Sequence, residues 1–415
     1  MIATRTRAAK RTPAHRRATT WLRAMRGPRP GTYHFGTDAP VCLLGSACAA
    51  LAAELLDRRR LEYERQDWIA HIGSFQRDDG LFDDPCLRPA ADGARGAQYA
   101  LMHQTFLATM ALDALGAAPA RPLALLGSWR DDDAVYRWID QLPWDDPWRD
   151  SNWVEWIGYF LLADAGIRSA DVPLLRERWP AGFGGLMAWL TEHIDRATGF
   201  WGRPALDEPW RSLNLVATAY HHYVFFYATG TPIPALDHVI DTVLALQQPG
   251  GLFLPGTTGG DPCADLDAID VLANATRLID YRRAAVHEAL ERAARAILGA
   301  QRRNGAFVWS RDPAETPTAT QTLGRLLDPR PTVRAHERLR AVQAYRSERL
   351  GPRMRYAGAV GLKFRKAGGD LYSHWFRPLA LAIAAQVLPA ERRPISWDFG
   401  FRTQITQGWW PGGAA

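Results

Sequence analysis

Little in this chain of 415 residues points to a disulfide scaffold, a β-sheet or a membrane anchor. Its four cysteines, Cys42, Cys48, Cys86 and Cys263, include no CxxC pair, too few and too scattered for a disulfide framework. They fit a reducing compartment. Strand-like alternation is nearly absent. One apolar run, "APVCLLGSACAALAAELL" from Ala39 to Leu56, lies behind basic residues and resembles a late signal sequence. It continues at helical spacing into "DRRRLEYERQDWIAHIGSF", which predicts the first helix of a fold instead. No other segment approaches the roughly 20 apolar residues that a bilayer span needs. The glycines of "GTTGGDP" lack the following Lys-Ser/Thr of a phosphate-binding loop. A cytoplasmic protein is expected, with contact to the inner membrane face if its substrate is lipidic.

The net charge of +6 is confined to one place. The first 30 residues are rich in Arg and Lys and hold no acid, so the rest of the chain is slightly acidic. Residues 1–38 therefore read as a basic, disordered tail, residues 39–400 as the folded body and residues 401–415 as a C-terminal extension. Without a basic stripe outside the tail, nucleic acid is not an expected partner. What the chain does have is 47% hydrophobic residues and 17 Trp, enough for a large core.

Three stretches share one pattern. "IGSFQRDDGLF" places Gln76, Gly80 and Phe82; "VLALQQPGGLF" places Gln247, Gly251 and Phe253; "ILGAQRRNGAF" places Gln301, Gly305 and Phe307. "TEHIDRATGFW" is a degenerate copy with Asp195, Gly199 and Trp201. The glycines are 119, 52 and 54 residues apart, a period of roughly 55 with the first interval doubled. Each glycine is expected to end a helix in the left-handed conformation, with the aromatic folding back and the Gln bonding the free carbonyls.

Six apolar segments follow such loops: 93–116, 151–166, 210–230, 264–279, 316–327 and 370–388. They alternate with amphipathic ones at 48–75, 131–142, 172–194, 233–247, 283–301 and 332–348. The economical architecture is all-α, about six hairpins with apolar helices inside and amphipathic ones outside, closed as an (α/α)6 toroid. An open solenoid is the competing arrangement. In the toroid, the starts of the inner helices gather at one mouth.

"DPCADLDAID", residues 261–270, opens one inner helix. Asp265 is predicted to cap it. Asp267 and Asp270 share a face with Asn274 one turn on. If buried, the pair of carboxyls would hold a proton near neutral pH; if exposed, both are first-turn acids favoured by the helix dipole. Other inner-helix starts carry Gln98 and His103; Asn152 and Glu155; Arg211, Asn214 and His221; Asp370, His374 and Arg377. They predict a polar mouth in which Arg211 and Arg377 grip a phosphate or carboxylate. Trp156, with Trp153, Tyr159, Tyr220, Phe225, Trp375 and Phe376, supplies aromatic faces suited to a carbocation.

The Gln-x-x-x-Gly-x-Phe/Trp pattern, its spacing and the helix after it resemble the QW repeats of squalene cyclases, class II terpene cyclases and protein prenyltransferase β subunits, over roughly residues 48–390. Class II terpene cyclases protonate an alkene or epoxide with the middle Asp of D-x-D-D. "DLDAID" is similar, which assigns the acid to Asp267 with Asp265 as its neighbour; Ala268 replaces the last Asp, and Asp270 substitutes only if the helix turns it toward Asp267. The prenyltransferase resemblance implies an alternative zinc set of Asp261, Cys263 and His374, separated by a whole extra hairpin. No cofactor is otherwise expected, apart from magnesium accompanying a diphosphate substrate.

The leading expectation is acid-initiated cyclisation or isomerisation of an isoprenoid. A second is a glycan hydrolase or lyase using Glu155 with Asp267 or Asp270. The third is a non-catalytic toroid that binds a lipid or glycan.

Overall fold

The computed structural model describes residues 12–37, 39–87, 93–205, 207–257, 259–310, 362, 369–397 and 399–411. The fold is all-α, and only isolated bridges occur besides helices among these residues. The helices are α1 Pro13–Ala24, α2 Leu43–Leu56, α3 Arg58–Tyr63, α4 Arg65–Gly73, α5 Gly93–Ala114, α6 Asp132–Asp140 and α7 Pro147–Asp164. They continue as α8 Val172–Glu177, α9 Phe183–His193, α10 Pro209–Thr229, α11 Leu236–Leu246, α12 Pro262–Leu278, α13 Arg283–Ala300 and α14 Leu371–Val387. Three of these starts share one device, an acid followed by Pro: Asp146-Pro147, Glu208-Pro209 and Asp261-Pro262. Proline has no amide hydrogen to leave unpaired in a first turn and its ring presets the helical φ.

Helices buried nearly all round alternate with helices buried on one face. α2, α7, α10, α12 and α14 belong to the first kind, and α6, α11 and α13 to the second. α2 packs on α5, α5 on α7, α7 on α10, α10 on α12, α12 on α14, and α14 returns to α2. Around them, α1 lies against α2 and α14, α4 against α2 and α5, α11 against α10 and α12, and α13 against α12 and α14. None of the described helices is long and apolar enough to cross a membrane.

Two sequence boundaries change. Residues 48–75, expected as one amphipathic helix, divide at Asp57: α2 is buried except for Glu54, while α3 and α4 carry the charge. The tail drawn over residues 1–38 contains α1, which buries His15, Ala18, Thr19, Trp21 and Leu22. Its apolar spacing (Ala18, Trp21, Leu22, Met25) is that of a helix face. The segments 316–327 and 332–348 lie outside the described residues.

The repeated loops are joints between neighbouring hairpins. Gln76 Nε2 donates to Gly80 O (3.0 Å) and to Arg121 O (2.8 Å); Gln247 Nε2 donates to Gly251 O (2.9 Å) and Ala289 O (2.8 Å). Gln301 Nε2 donates to Gly305 O (3.2 Å) and to Ala14 O of α1 (3.0 Å). In each copy the Gln side chain ties its own turn to a carbonyl of the next outer segment. For the last copy that segment is α1, which is why the N-terminal helix is part of the fold. The glycines do not end the helices, as expected from sequence, but close a turn just beyond them, at φ +84° for Gly80, +91° for Gly251 and +99° for Gly305. A Cβ at any of them would meet the backbone carbonyl of Pro122, Arg292 or Arg17. The aromatics Phe82, Phe253 and Phe307 are fully buried.

Candidate functional site

Each of these three loops also hangs on the buried helix that follows it. The amide of Phe82 donates to Thr105 Oγ1 (3.0 Å), that of Phe253 to Asp265 Oδ1 (2.7 Å) and that of Phe307 to His374 Nδ1 (3.4 Å). Thr105, Asp265 and His374 therefore hold equivalent posts on α5, α12 and α14, and each has a structural duty. His374 Nε2 faces Ala18 O of α1 at 3.1 Å, and burial pushes its pKa down to about 3. Asp265 takes the amides of Phe253 and Asp261 (3.0 Å) and a buried ion pair with Arg377 Nη1. Arg377 Nη2 donates to Trp309 O (3.0 Å), while its buried Nε bonds to no protein atom.

Several expectations are corrected here. The cap of α12 is Asp261, whose carboxylate accepts from Cys263 N (2.9 Å) and Ala264 N (3.3 Å); Asp265 is not the cap. Asp265 is committed to Arg377, and Arg377 is buried with its charge already paired. His374 is spent on backbone and Cys263 Sγ faces Tyr372 OH at 2.7 Å, so the zinc set of Asp261, Cys263 and His374 is not assembled. No group of three or more His, Cys, Asp or Glu able to hold a metal occurs among the described residues. Arg211 and Asn214 stand half-buried in the first turns of α10, and Asn152, half-buried on α7, donates to Trp148 O (2.7 Å). Gln98 is exposed and His103 stacks beside Tyr99. Asp370 caps α14, bonding Ser373 N (2.8 Å).

What remains at the centre is a set of buried carboxyls. Asp267 is 1% exposed, and its Oδ2 has no hydrogen-bond partner. Burial raises its pKa well above the usual carboxylate range, and the charges of Asp261, Glu155, Asp270 and Asp265 push it the same way. The surroundings thus favour its protonated form, and Oδ2 bonds to no protein atom. Asp270 accepts from Asn274 Nδ2 (3.1 Å), and burial lifts it to about 7 although Asn274 and Arg277 oppose the shift. Glu155, across from it on α7, is lifted by burial to about 8. Its Oε2 accepts from Gln407 Nε2 at 2.9 Å and lies 3.9 Å from His221 Nε2. Burial drives His221 down to about 3, so the ring is neutral, and its Nδ1 pairs with Ser151 Oγ at 2.8 Å.

Aromatic side chains surround this set. Trp156 is fully buried and packs on Tyr99 (4.9 Å between ring centres), Trp153 (5.4 Å) and Phe106 (6.0 Å). Tyr220 is 6% exposed, its hydroxyl has no partner, and burial raises its pKa, with Asp270, Glu155 and Asp267 pushing the same way. Tyr372 stacks on Phe376 at 4.1 Å and on Trp309 at 5.6 Å.

One part of the site carries no signature in the hairpin pattern. The segment 399–411 packs across the C-terminal ends of the buried helices. Arg402 donates to Met110 O (2.8 Å) and sits within 3.5 Å of Asp113 and 3.8 Å of Glu54. Ser169 N donates to Thr403 O (2.6 Å), Trp409 Nε1 to Ser169 Oγ (2.6 Å), and Arg277 Nη2 to Pro411 O (2.8 Å). A buried guanidinium placed against helix C-termini meets their carbonyls as well as the two carboxylates. This segment and helices α7, α10 and α12 enclose a pocket lined by Glu155, Tyr220, Tyr227, Asp270, Thr406 and Gln407, among others. It holds about 280 Å3 of empty space, of which only about 10 Å3 can be reached by the centre of a water molecule.

No protein-family model matches the chain, and no curated protein matches it.

Proposed function

We propose that the hairpins close into an α/α toroid and that the protein performs acid-initiated cyclisation or isomerisation of an isoprenoid, with Asp267 as proton donor. One observation carries this reading: Asp267 is a buried carboxyl whose pKa desolvation and four acidic neighbours all push up, with one oxygen that bonds to nothing in the protein. General acids work best when their pKa lies near or above the working pH, and here the surroundings provide that. In the step itself, the Asp267 O–H bond breaks and its proton joins one carbon of an alkene, whose π electrons form the new C–H bond. The other alkene carbon becomes a cation and Asp267 a carboxylate. Tyr220 and the Trp156–Tyr99 cluster offer ring faces to that cation, an attraction of about 2 kcal/mol when desolvated. In a cyclisation a second alkene attacks that cation with its π electrons to close the ring; the Asp267 carboxylate or water then takes a neighbouring C–H proton, whose bond electrons form the product alkene, and Asp267 ends protonated again. Arg211, half-exposed on the first turn of α10, is the group free to hold an anionic substrate head.

Purified protein with a panel of prenyl diphosphates and linear terpenes should yield a cyclised or isomerised product that is lost in Asp267→Asn. Asn keeps the shape and removes the acidic proton, so a fully active Asn variant would end this reading.

The glycan reading is favoured by one observation, that Glu155 and Asp270 line one pocket with acid strengths near neutrality. The same pocket admits a group the size of water and not a sugar ring.

A further inference from the structure

The pocket under the C-terminal segment has a chemistry of its own. Two carboxyls from different helices, Glu155 of α7 and Asp270 of α12, line it with the hydroxyls of Tyr220 and Thr406 and the amides of Asn274 and Gln407. Tyr220 is more than nine-tenths buried and its hydroxyl bonds to no protein atom. The rings of Tyr220, Tyr227 and Trp409 form the rest of the wall.

Charge decides what fits. His221, beside Glu155, is neutral, and the lining residues of the C-terminal segment bear no charge. The one cation at hand is Arg277, which donates to Asn274 Oδ1 (2.9 Å) and Pro411 O and lies over the Trp410 ring at 4.8 Å. Once both carboxyls are ionised, it offsets one of them from behind and leaves one unit of negative charge unbalanced. A single monovalent cation restores neutrality, whereas a divalent ion would overshoot it. Size agrees: about 10 Å3 of space for a water centre is one water-sized sphere, and potassium and ammonium are of that size. Aromatic walls attract such weakly hydrated cations through their ring faces.

We infer that this chamber is a binding site for one monovalent cation of the size of potassium or ammonium, held between Glu155 and Asp270 with Tyr220 Oη in its shell. Binding replaces a proton: the carboxyl releases H+ to solvent as the cation takes its place. Affinity therefore rises with pH as Asp270 and Glu155 ionise, around 7 to 8. Asp267, on the same helix as Asp270, adds to the negative potential only if it too ionises.

The test is thermal denaturation of the full chain at fixed ionic strength, with tetramethylammonium chloride replaced by potassium or ammonium chloride. Tetramethylammonium has the charge but is too large for the chamber. The expected result is a rise in Tm of about 2 °C or more near pH 8.5, shrinking toward zero near pH 5.5. Glu155→Gln and Asp270→Asn abolish the rise, and the exposed Asp237→Asn retains it. Should either pocket variant fold poorly, 15N-ammonium with the unmodified protein gives a second measurement, a bound resonance displaced by potassium. No difference between potassium and tetramethylammonium at the higher pH, or a difference that survives both pocket variants, overturns the inference.

Discussion

Replacing Glu155 by Gln should make the protein more stable as pH rises, an unusual outcome for a change at a buried polar residue. Gln keeps the volume and can still accept from Gln407 Nε2, but it cannot ionise. In the fold, burial raises Glu155 from 4.5 to about 8, so folding holds a proton that the unfolded chain gives up. A raised acid contributes stability that is intact below its unfolded pKa and is lost as pH climbs through the folded one. The window is therefore pH 4.5 to about 8. At about 1.4 kcal/mol per pKa unit, the wild type loses roughly 2.5 kcal/mol from this group between pH 5 and pH 7, and roughly 4 kcal/mol between pH 5 and pH 9. Glu155→Gln loses none of it. Urea denaturation of both proteins across pH 5 to 9, in buffer free of potassium and ammonium, should show stabilities that diverge up to about pH 8 and then run parallel. Curves that stay parallel throughout would refute the claim that Glu155 is folded in its protonated form.

Three further outcomes follow from contacts already described. Arg377→Met strips buried Asp265 of its paired cation and should cost about 3–5 kcal/mol in chemical denaturation, with Arg377→Met/Asp265→Asn recovering part of the loss. Gln301→Ala removes both the turn bond and the bond to Ala14 O, and should cost about 1–3 kcal/mol while raising hydrogen exchange in α1. Arg402→Met takes the guanidinium within 3.8 Å of Glu54 away, while Asp113 keeps its pair with Arg168 (3.2 Å). Since burial already raises Glu54, losing Arg402 raises it further, and the variant should lose more stability at pH 8 than at pH 5 by thermal melts.

The repeating joints were legible because local chemistry specifies them. A Gln at the helix end, a Gly whose backbone must pass a neighbouring carbonyl and an aromatic to bury leave few alternatives, and all three full copies take one geometry. The stripe of Asp267, Asp270 and Asn274 was legible from helical spacing, and its burial was the open question. The cap of α12 was misassigned because Asp261 and Asp265 both satisfy capping preferences; Pro262, placed at the first helical position, is the local clue that favours Asp261. The Asp265–Arg377 pair joins residues 112 apart, and nothing near either one announces it. α2 was merged with α3 and α4 because helical spacing runs on through Asp57, although the uniformly apolar "LLGSACAALAAELL" has no polar face to turn outward. The C-terminal segment is invisible to periodicity, having no helix. Its pair Trp409-Trp410, so near the chain end and buried, was the available hint.

The central claim is that Asp267 gives its proton to carbon. Incubation of the full chain with the prenyl diphosphate and terpene panel in D2O, followed by mass spectrometry, tests it most directly. The account predicts a cyclised or isomerised product carrying one carbon-bound deuterium, absent when Asp267→Asn is used. No turnover across the panel, a product free of deuterium, or the same labelled product from Asp267→Asn would contradict it.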